Sequence, residues 1–275
     1  MTPYMKQPKR RSELRLALGK RWFGLRRRML WLRRRGTFAR TFSSEPLPYT
    51  YFSHSTPLLR RLKNLDMWMQ ENKVKNLSIA VKRLDGVLLR PGETFSYWRL
   101  IGRTTRRKGY VEGMLLKNGE IVPGVGGGLC QLSNLIYWMT LHTPLTVTER
   151  HRHGYDVFPD SNRTQPFGSG ATCFYPYVDL MIRNDTSDTY QLRVRVGETD
   201  LEGSWRVSAP PKYTFSVVER DHEMRGEFWG GFTRHNALYR QRYTLDGQLL
   251  DEELAARNSA VMMYSPFLDS ENSPQ

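Results

Sequence analysis

Two cysteines and six histidines stand among the 275 residues, and one pairing has a spacing that suits nucleophilic chemistry. Cys130 directly follows the stretch Gly124-Val125-Gly126-Gly127-Gly128-Leu129, and the helical pattern Leu132, Leu135, Ile136, Met139 follows it. A thiol in the first turn of a helix faces backbone N–H groups without intrahelical partners and the positive end of the macrodipole, which favours thiolate. Consecutive amides at Gly126, Gly127 and Gly128 can form a nest for an anion, such as the oxyanion of a tetrahedral intermediate. His153, 23 residues beyond the thiol, is the candidate base, because that separation lets a helix return through one strand. His151 and His153 differ by two and would share one side of an extended segment.

The same residues admit a plainer reading. A buried free cysteine behaves as a small hydrophobe, and a glycine run also lets a helix pack tightly on a sheet. Gln131 and Ser133 either cap the helix or orient a substrate carbonyl. Glu149-Arg150 reads as a strand-end ion pair. Asp179 reads either as an orienter of His153 or as a turn or edge residue, and Cys173 as part of the core. A Cys130–Cys173 bridge is compatible only with an exported protein. His54, His142, His222 and His235 are scattered singly, so no metal and no cofactor is expected. Phosphate loops, zinc signatures and serine nucleophile elbows are absent from the sequence.

The elements that must position these residues predict an α+β fold. It has a largely antiparallel sheet with a few packed helices, preceded by a basic amphipathic N-terminal helix. The spacing predicts a helix after the glycine run that ends before Pro144. Thr56 reads as the N-cap of an earlier helix with Pro57 in its first position, and that helical stretch ends near Asp85-Gly86. Hairpins are expected at Asn118-Gly119 and Asp246-Gly247. "LTVTER" reads as a strand, and "YVDLMIRND" and "TYQLRVRV" as two strands joined by a polar turn. Four segments follow: a basic arm over 1–40, a Pro- and Ser-rich linker over 41–56, a central domain over 57–200, and a β-rich extension over 201–275 packed on the same body.

Charge is concentrated in the arm. Residues 1–40 hold fourteen Lys and Arg against the single acid Glu13, whereas the rest of the chain has 28 basic and 26 acidic side chains. Leu14, Leu18, Trp22, Leu25, Met29 and Leu32 recur at three- and four-residue steps, the pattern of one helix face. Arginines fill much of the remainder. Such a helix suits the interface of an anionic bilayer, with Trp22, Arg26, Arg27, Arg28 and Trp31 as surface contacts. A solvated or partner-docked helix is the alternative, and nucleic acid is the least favoured partner, because the aromatic residues sit among aliphatic ones rather than forming a stacking platform. No apolar run reaches the roughly 18 residues of a membrane span, and no signal-peptide pattern is present. The expected location is cytoplasmic, peripheral to the inner membrane face.

Three stretches carry a family resemblance: "ENKVKNLSIAVKRLDGVLLRPGETFSYWRLIG", "GGGLCQLSNLIYWMTLHTPLTVTERHRH" and "YVDLMIRNDT". Together they closely resemble the VanW family over roughly 71–196. The resemblance implies an accessory role in glycopeptide resistance or the cell envelope, but no reaction. By position the motif residues are Gly126, Gly127, Gly128, Cys130, Gln131, Ser133, Arg150 and His153, with Pro91, Gly92, Glu93, Phe95 and Ser96 upstream and Asn76 before them. Gly170 stands where the family commonly has Asp, so an orienting carboxylate for the histidine is missing there. Two expectations follow. In one, Cys130 attacks an amide or acyl group such as one in a peptidoglycan precursor, with His153 as base, Gln131 assisting and the glycine amides holding the oxyanion. In the other, Gly126, Gly127, Gly128, Ser133 and Arg150 bind an anionic or peptide ligand without catalysis, and the basic arm holds the protein at the membrane.

Overall fold

Apolar residues at three- and four-residue steps near the middle of the chain do form one helix face. In a computed structural model of the chain, Leu132, Leu135, Ile136 and Met139 are all buried on helix Cys130–Leu141. The structure describes residues 12–59, 66–117, 119–157 and 165–265. The first elements are α1 (Glu13–Arg33), β1 (Thr41–Phe42), β2 (Tyr49–Pro57), α2 (Met67–Val81), β3 (Val87–Leu89), β4 (Thr94–Ser96) and α3 (Tyr97–Ile101). The middle holds β5 (Glu112–Lys117), β6 (Glu120–Val125), α4 (Cys130–Leu141), β7 (Thr146–Glu149), β8 (Tyr155–Asp156) and β9 (Met181–Arg183). The chain continues with β10 (Tyr190–Val196), β11 (Asp200–Val207), β12 (Thr214–Gly226), β13 (Phe232–Tyr243) and β14 (Leu249–Met262).

The architecture is α+β and mostly antiparallel. A five-stranded sheet has the order β1-β3-β10-β11-β2, and a three-stranded sheet the order β4-β9-β7. The long strands β12, β13 and β14 form a third sheet, which β8 joins parallel to β14. β5 and β6 pair as a hairpin with Gly119 at φ 86° in its turn; Asn118 lies outside the described residues. The second expected hairpin joins β13 and β14, with Gly247 at φ 90°.

Helices α2 and α4 cover the five-stranded sheet. α2, with Leu77 and Ala80 buried, lies on β10, with Leu192 and Val194 buried, while α4 lies on β2 and β11. Full burial of such side chains contributes roughly 2 kcal/mol each. Gly203 of β11 is where α4 comes closest: a Cβ there would sit 2.7 Å from Met139 Cε. Trp205, fully buried two residues on, satisfies its indole by donating to Thr140 Oγ1 at 3.0 Å.

Two expectations are corrected. The stretch 41–56 is not a linker but supplies β1 and β2, both in the main sheet. β2 is an edge strand, where Ser faces outward and Pro57 removes no ladder bond, so a strand hides in turn-like composition. Thr56 and Pro57 therefore cap no helix; α2 starts after Asp66 instead, and 60–65 lie outside the described residues. The two strands expected within "YVDLMIRND" and "TYQLRVRV" are present as β9 and β10; the polar turn between them carries the chain from one sheet to another, β9 lying with β4 and β7 and β10 with β3 and β11.

Candidate functional site

The glycine run is a turn joining β6 to α4. Gly126 and Gly128 take φ 79° and 90°, values that side-chain-bearing residues rarely adopt. Gly127 is demanded by proximity: its Cβ would lie 2.2 Å from the carbonyl of Gly113 in β5. Asn76, fully buried in α2, locks the arrangement. Its Nδ2 donates to Val111 O at 3.0 Å and Gly127 O at 2.9 Å, and its Oδ1 accepts from Val111 N. The turn's own amides are all spent, Gly126 on Val111 O, Gly127 on Gly124 O and Gly128 on Met114 O. The expected anion nest at Gly126, Gly127 and Gly128 is therefore closed by protein carbonyls.

Cys130 opens α4 and is partly exposed. Its Sγ donates to Cys173 O at 3.8 Å. Burial pushes the thiol above its ordinary range, outweighing the amides of Cys173 and of Cys130 itself, which favour thiolate. The helix start expected to favour thiolate is present, but desolvation opposes it. Cys173 is buried and free, and burial raises it further still. Gln131 ties α4 to β2, its Nε2 donating to Thr56 Oγ1 and Pro57 O, both at 2.9 Å. Its Oε1 is buried without a partner. Ser133, fully buried, donates to Ala171 O at 2.7 Å and binds no substrate-facing surface.

The histidine segment does not complete a dyad. Residues 151–153 belong to no helix or strand. His153 is half-buried, makes no hydrogen bond among the described residues, and is held below the usual imidazole range by burial and by Arg152. His151 instead meets Glu149 Oε1 at 2.9 Å. Arg150 is a brace rather than a ligand-binding group. Its guanidinium donates to Gly168 O, to Gly170 O at 2.9 Å and to Asn258 Oδ1 at 2.9 Å, and lies over the Tyr137 ring. Gly170 has its own reason: a Cβ would approach Asn134 Oδ1 to 2.7 Å, and that oxygen accepts from Ala171 N. An amide side chain fills the space where the family motif places a carboxylate.

A second polar cluster escaped the sequence reading. Asp179, fully buried, accepts from Ser96 Oγ at 2.6 Å and from the amides of Trp98 and Leu180, both at 2.9 Å. Burial pushes its carboxyl up to about 7, against the pull of the Ser96 and Trp98 bonds and of Arg27. Glu149, next to it, goes the other way: burial raises it, but bonds from His151, Arg27 and the Asp179 amide hold it below the usual range. Arg27 and Trp31 come from α1. Arg27 pairs with Glu149 and donates to Tyr177 O at 2.9 Å, while Trp31 Nε1 donates to Ser96 Oγ at 3.2 Å. Both are buried, so their assignment to a membrane surface is corrected, as is the Glu149–Arg150 pair. Asp179 orients Ser96 and the start of α3, not His153.

His235, to which the sequence assigned nothing, sits in a short relay. Ser259 Oγ lies 2.9 Å from Nδ1, Thr233 Oγ1 lies 2.8 Å from Nε2, and Thr233 donates to Glu227 at 2.7 Å. Among the described residues no group of three or more His, Cys, Asp and Glu is placed to hold a metal ion. No described helix is long and apolar enough to cross a membrane.

A family model described as VanW like protein matches residues 72–206. That range contains the glycine turn, Cys130, Glu149 and Asp179, and begins after α1. The chain is 35% identical over 228 residues to the vancomycin B-type resistance protein VanW of Enterococcus faecalis, a match covering 82% of each chain. It is 29% identical over 125 residues to the uncharacterized protein YoaR of Bacillus subtilis, covering 46% of this chain and 40% of that one. No solved structure matches the chain.

Proposed function

Because the chain belongs to the VanW family, we propose that it is an accessory protein of glycopeptide resistance that holds a peptide-like envelope precursor at the start of α4, with no covalent step at Cys130. The first half rests on likeness to the Enterococcus faecalis protein, which is named for vancomycin resistance. One observation supports the second half. The thiol is pushed up by burial and has no imidazole bonded to it, so it stays S–H near neutral pH. A nucleophilic cysteine needs a substantial thiolate fraction and a partner that takes its proton.

As a neutral group the thiol is a weak donor at a helix start, and its long bond to Cys173 O is one that an oxygen ligand would have to replace. Gln131 Oε1, buried without a partner on the next residue, supplies an acceptor. A donor and an acceptor side by side match the alternating C=O and N–H of a peptide. The test uses a host carrying the remaining genes of a vancomycin-resistance cluster. Cys130→Ser, which keeps a donor, should retain the parent's protection against vancomycin, while Gln131→Ala should reduce it. Loss of protection in a Cys130→Ser protein that still folds would overturn the non-covalent reading.

A further inference from the structure

Helix α1 has two faces of different chemistry. Its inner face docks on the body: Gly24 packs on Pro176, with a Cβ position 3.6 Å from Pro176 Cγ. The Phe23 and Tyr177 rings lie 5.7 Å apart. Arg27 and Trp31 continue this face with the bonds to Glu149 and Ser96. At about 100° per residue, the positions roughly opposite are Leu14, Leu18, Trp22, Leu25, Met29 and Leu32. All six are exposed, with Leu14 at 72%, Trp22 at 65% and Leu32 at 69%. The helix is therefore apolar on the side that the body does not cover.

Arginines border that stripe on both sides. Arg21 and Arg28 follow one edge, and Arg15, Arg26 and Arg33 the other. All five are exposed, and the helix contains one acid, Glu13, at its first position. A stripe of leucines with one tryptophan between two cationic borders fits the boundary between headgroups and acyl chains. Two copies meeting stripe to stripe would bring like-charged borders together, which is unfavourable. A nucleic acid would satisfy the arginines but leave the leucines wet.

We infer that the outer face of α1 is an interfacial membrane anchor, which lays the helix in the surface of an anionic bilayer while its inner face stays bonded to the body. The contact residues are Leu14, Leu18, Trp22, Leu25, Met29 and Leu32 with the five bordering arginines; Arg27 and Trp31 take no part. The inference stands apart from any ligand at α4.

Sedimentation of the full chain with vesicles tests it, using phosphatidylcholine alone and phosphatidylcholine mixed with phosphatidylglycerol. The parent should pellet with the mixed vesicles, less at high salt, and not with phosphatidylcholine alone. The triple variant Leu18→Glu, Trp22→Glu, Leu25→Glu should bind about ten-fold more weakly or worse, with an unchanged circular dichroism spectrum and melting temperature. Trp22→Phe should bind as the parent but lose most of the lipid-induced blue shift in tryptophan emission. Unchanged pelleting of the triple variant would overturn the anchor. So would a lipid-free dimer that this variant dissolves, or tighter binding to an oligonucleotide than to the vesicles that this variant leaves intact.

Discussion

The turn before α4 and the buried polar cluster beneath α1 spend their polar groups in opposite ways. At the turn, each glycine amide meets a protein carbonyl, and the residues chosen by type and spacing, Gly126, Gly127, Gly128, Ser133 and Arg150, hold chain segments together. Beneath α1, residues read singly for other roles gather into one buried polar cluster. A carboxyl at about 7 stands beside one held low, under a buried arginine and an indole. A motif thus marks residues that the fold constrains; whether they also do chemistry depends on what desolvation leaves ionised.

The largest effect should come from breaking the turn. In Gly127→Ala, the new methyl would overlap backbone atoms of Gly113, 2.2 Å away, with no flexible side chain to yield. The expected loss is about 3 kcal/mol or more, read by urea unfolding. Gly19→Ala in α1 is the control: nothing lies within 4 Å of its Cβ position, and it should stabilise by roughly 0.5–1 kcal/mol through helix propensity. Equal effects of the two substitutions would mean that close approach does not explain the glycine run.

Particular residues show what sequence reasoning could and could not reach. The buried face of α4 was legible, since Leu132, Leu135, Ile136 and Met139 obey one period, and so were the turns at Gly119 and Gly247. β2 was not, because an edge strand tolerates Ser and Pro that a central strand excludes. The docking of α1 was hidden for another reason. Arg27 and Trp31 have the same types as their exposed neighbours, and their partners Glu149 and Ser96 lie 122 and 65 positions away. The Cys130–His153 pairing rested on spacing alone, and among the described residues the two side chains share no hydrogen bond. Helix-start geometry was read correctly for Cys130, but the burial that outweighs it has no local signature.

A smaller effect should separate the cluster beneath α1 by its pH dependence. The Asp179 carboxyl lies at about 7 in the fold, against an ordinary value of 3.8. Its folded pKa is raised, so its contribution is fully present below the ordinary value and is lost as pH rises through about 7. Stability of the parent relative to Asp179→Asn should therefore fall from pH 4 towards pH 8 and then level off. Glu149 has the opposite sign, its contribution being lost only as pH falls below the usual carboxylate range, so it leaves this window alone. The histidines held low by burial, His54, His142, His153 and His235, cancel in the parent-minus-variant difference. A flat difference would show that Asp179 is ionised throughout.

The smallest effect is the one that decides the chemistry of α4. With the thiol raised by burial and no bond to His153, alkylation of Cys130 by iodoacetamide should be slow near pH 6 and should accelerate only in the alkaline range. His153→Ala should leave that profile in place, because an imidazole that takes no proton from the sulfur cannot set its reactivity. Cys173→Ala controls for labelling at the second thiol and should not alter the Cys130 rate appreciably. Rapid labelling near pH 6 that slows in His153→Ala would mean that ligand-free solution assembles the dyad. It would return Cys130 to the role of nucleophile, and the turn before α4 would then hold an ionised group as the cluster beneath α1 does at Glu149.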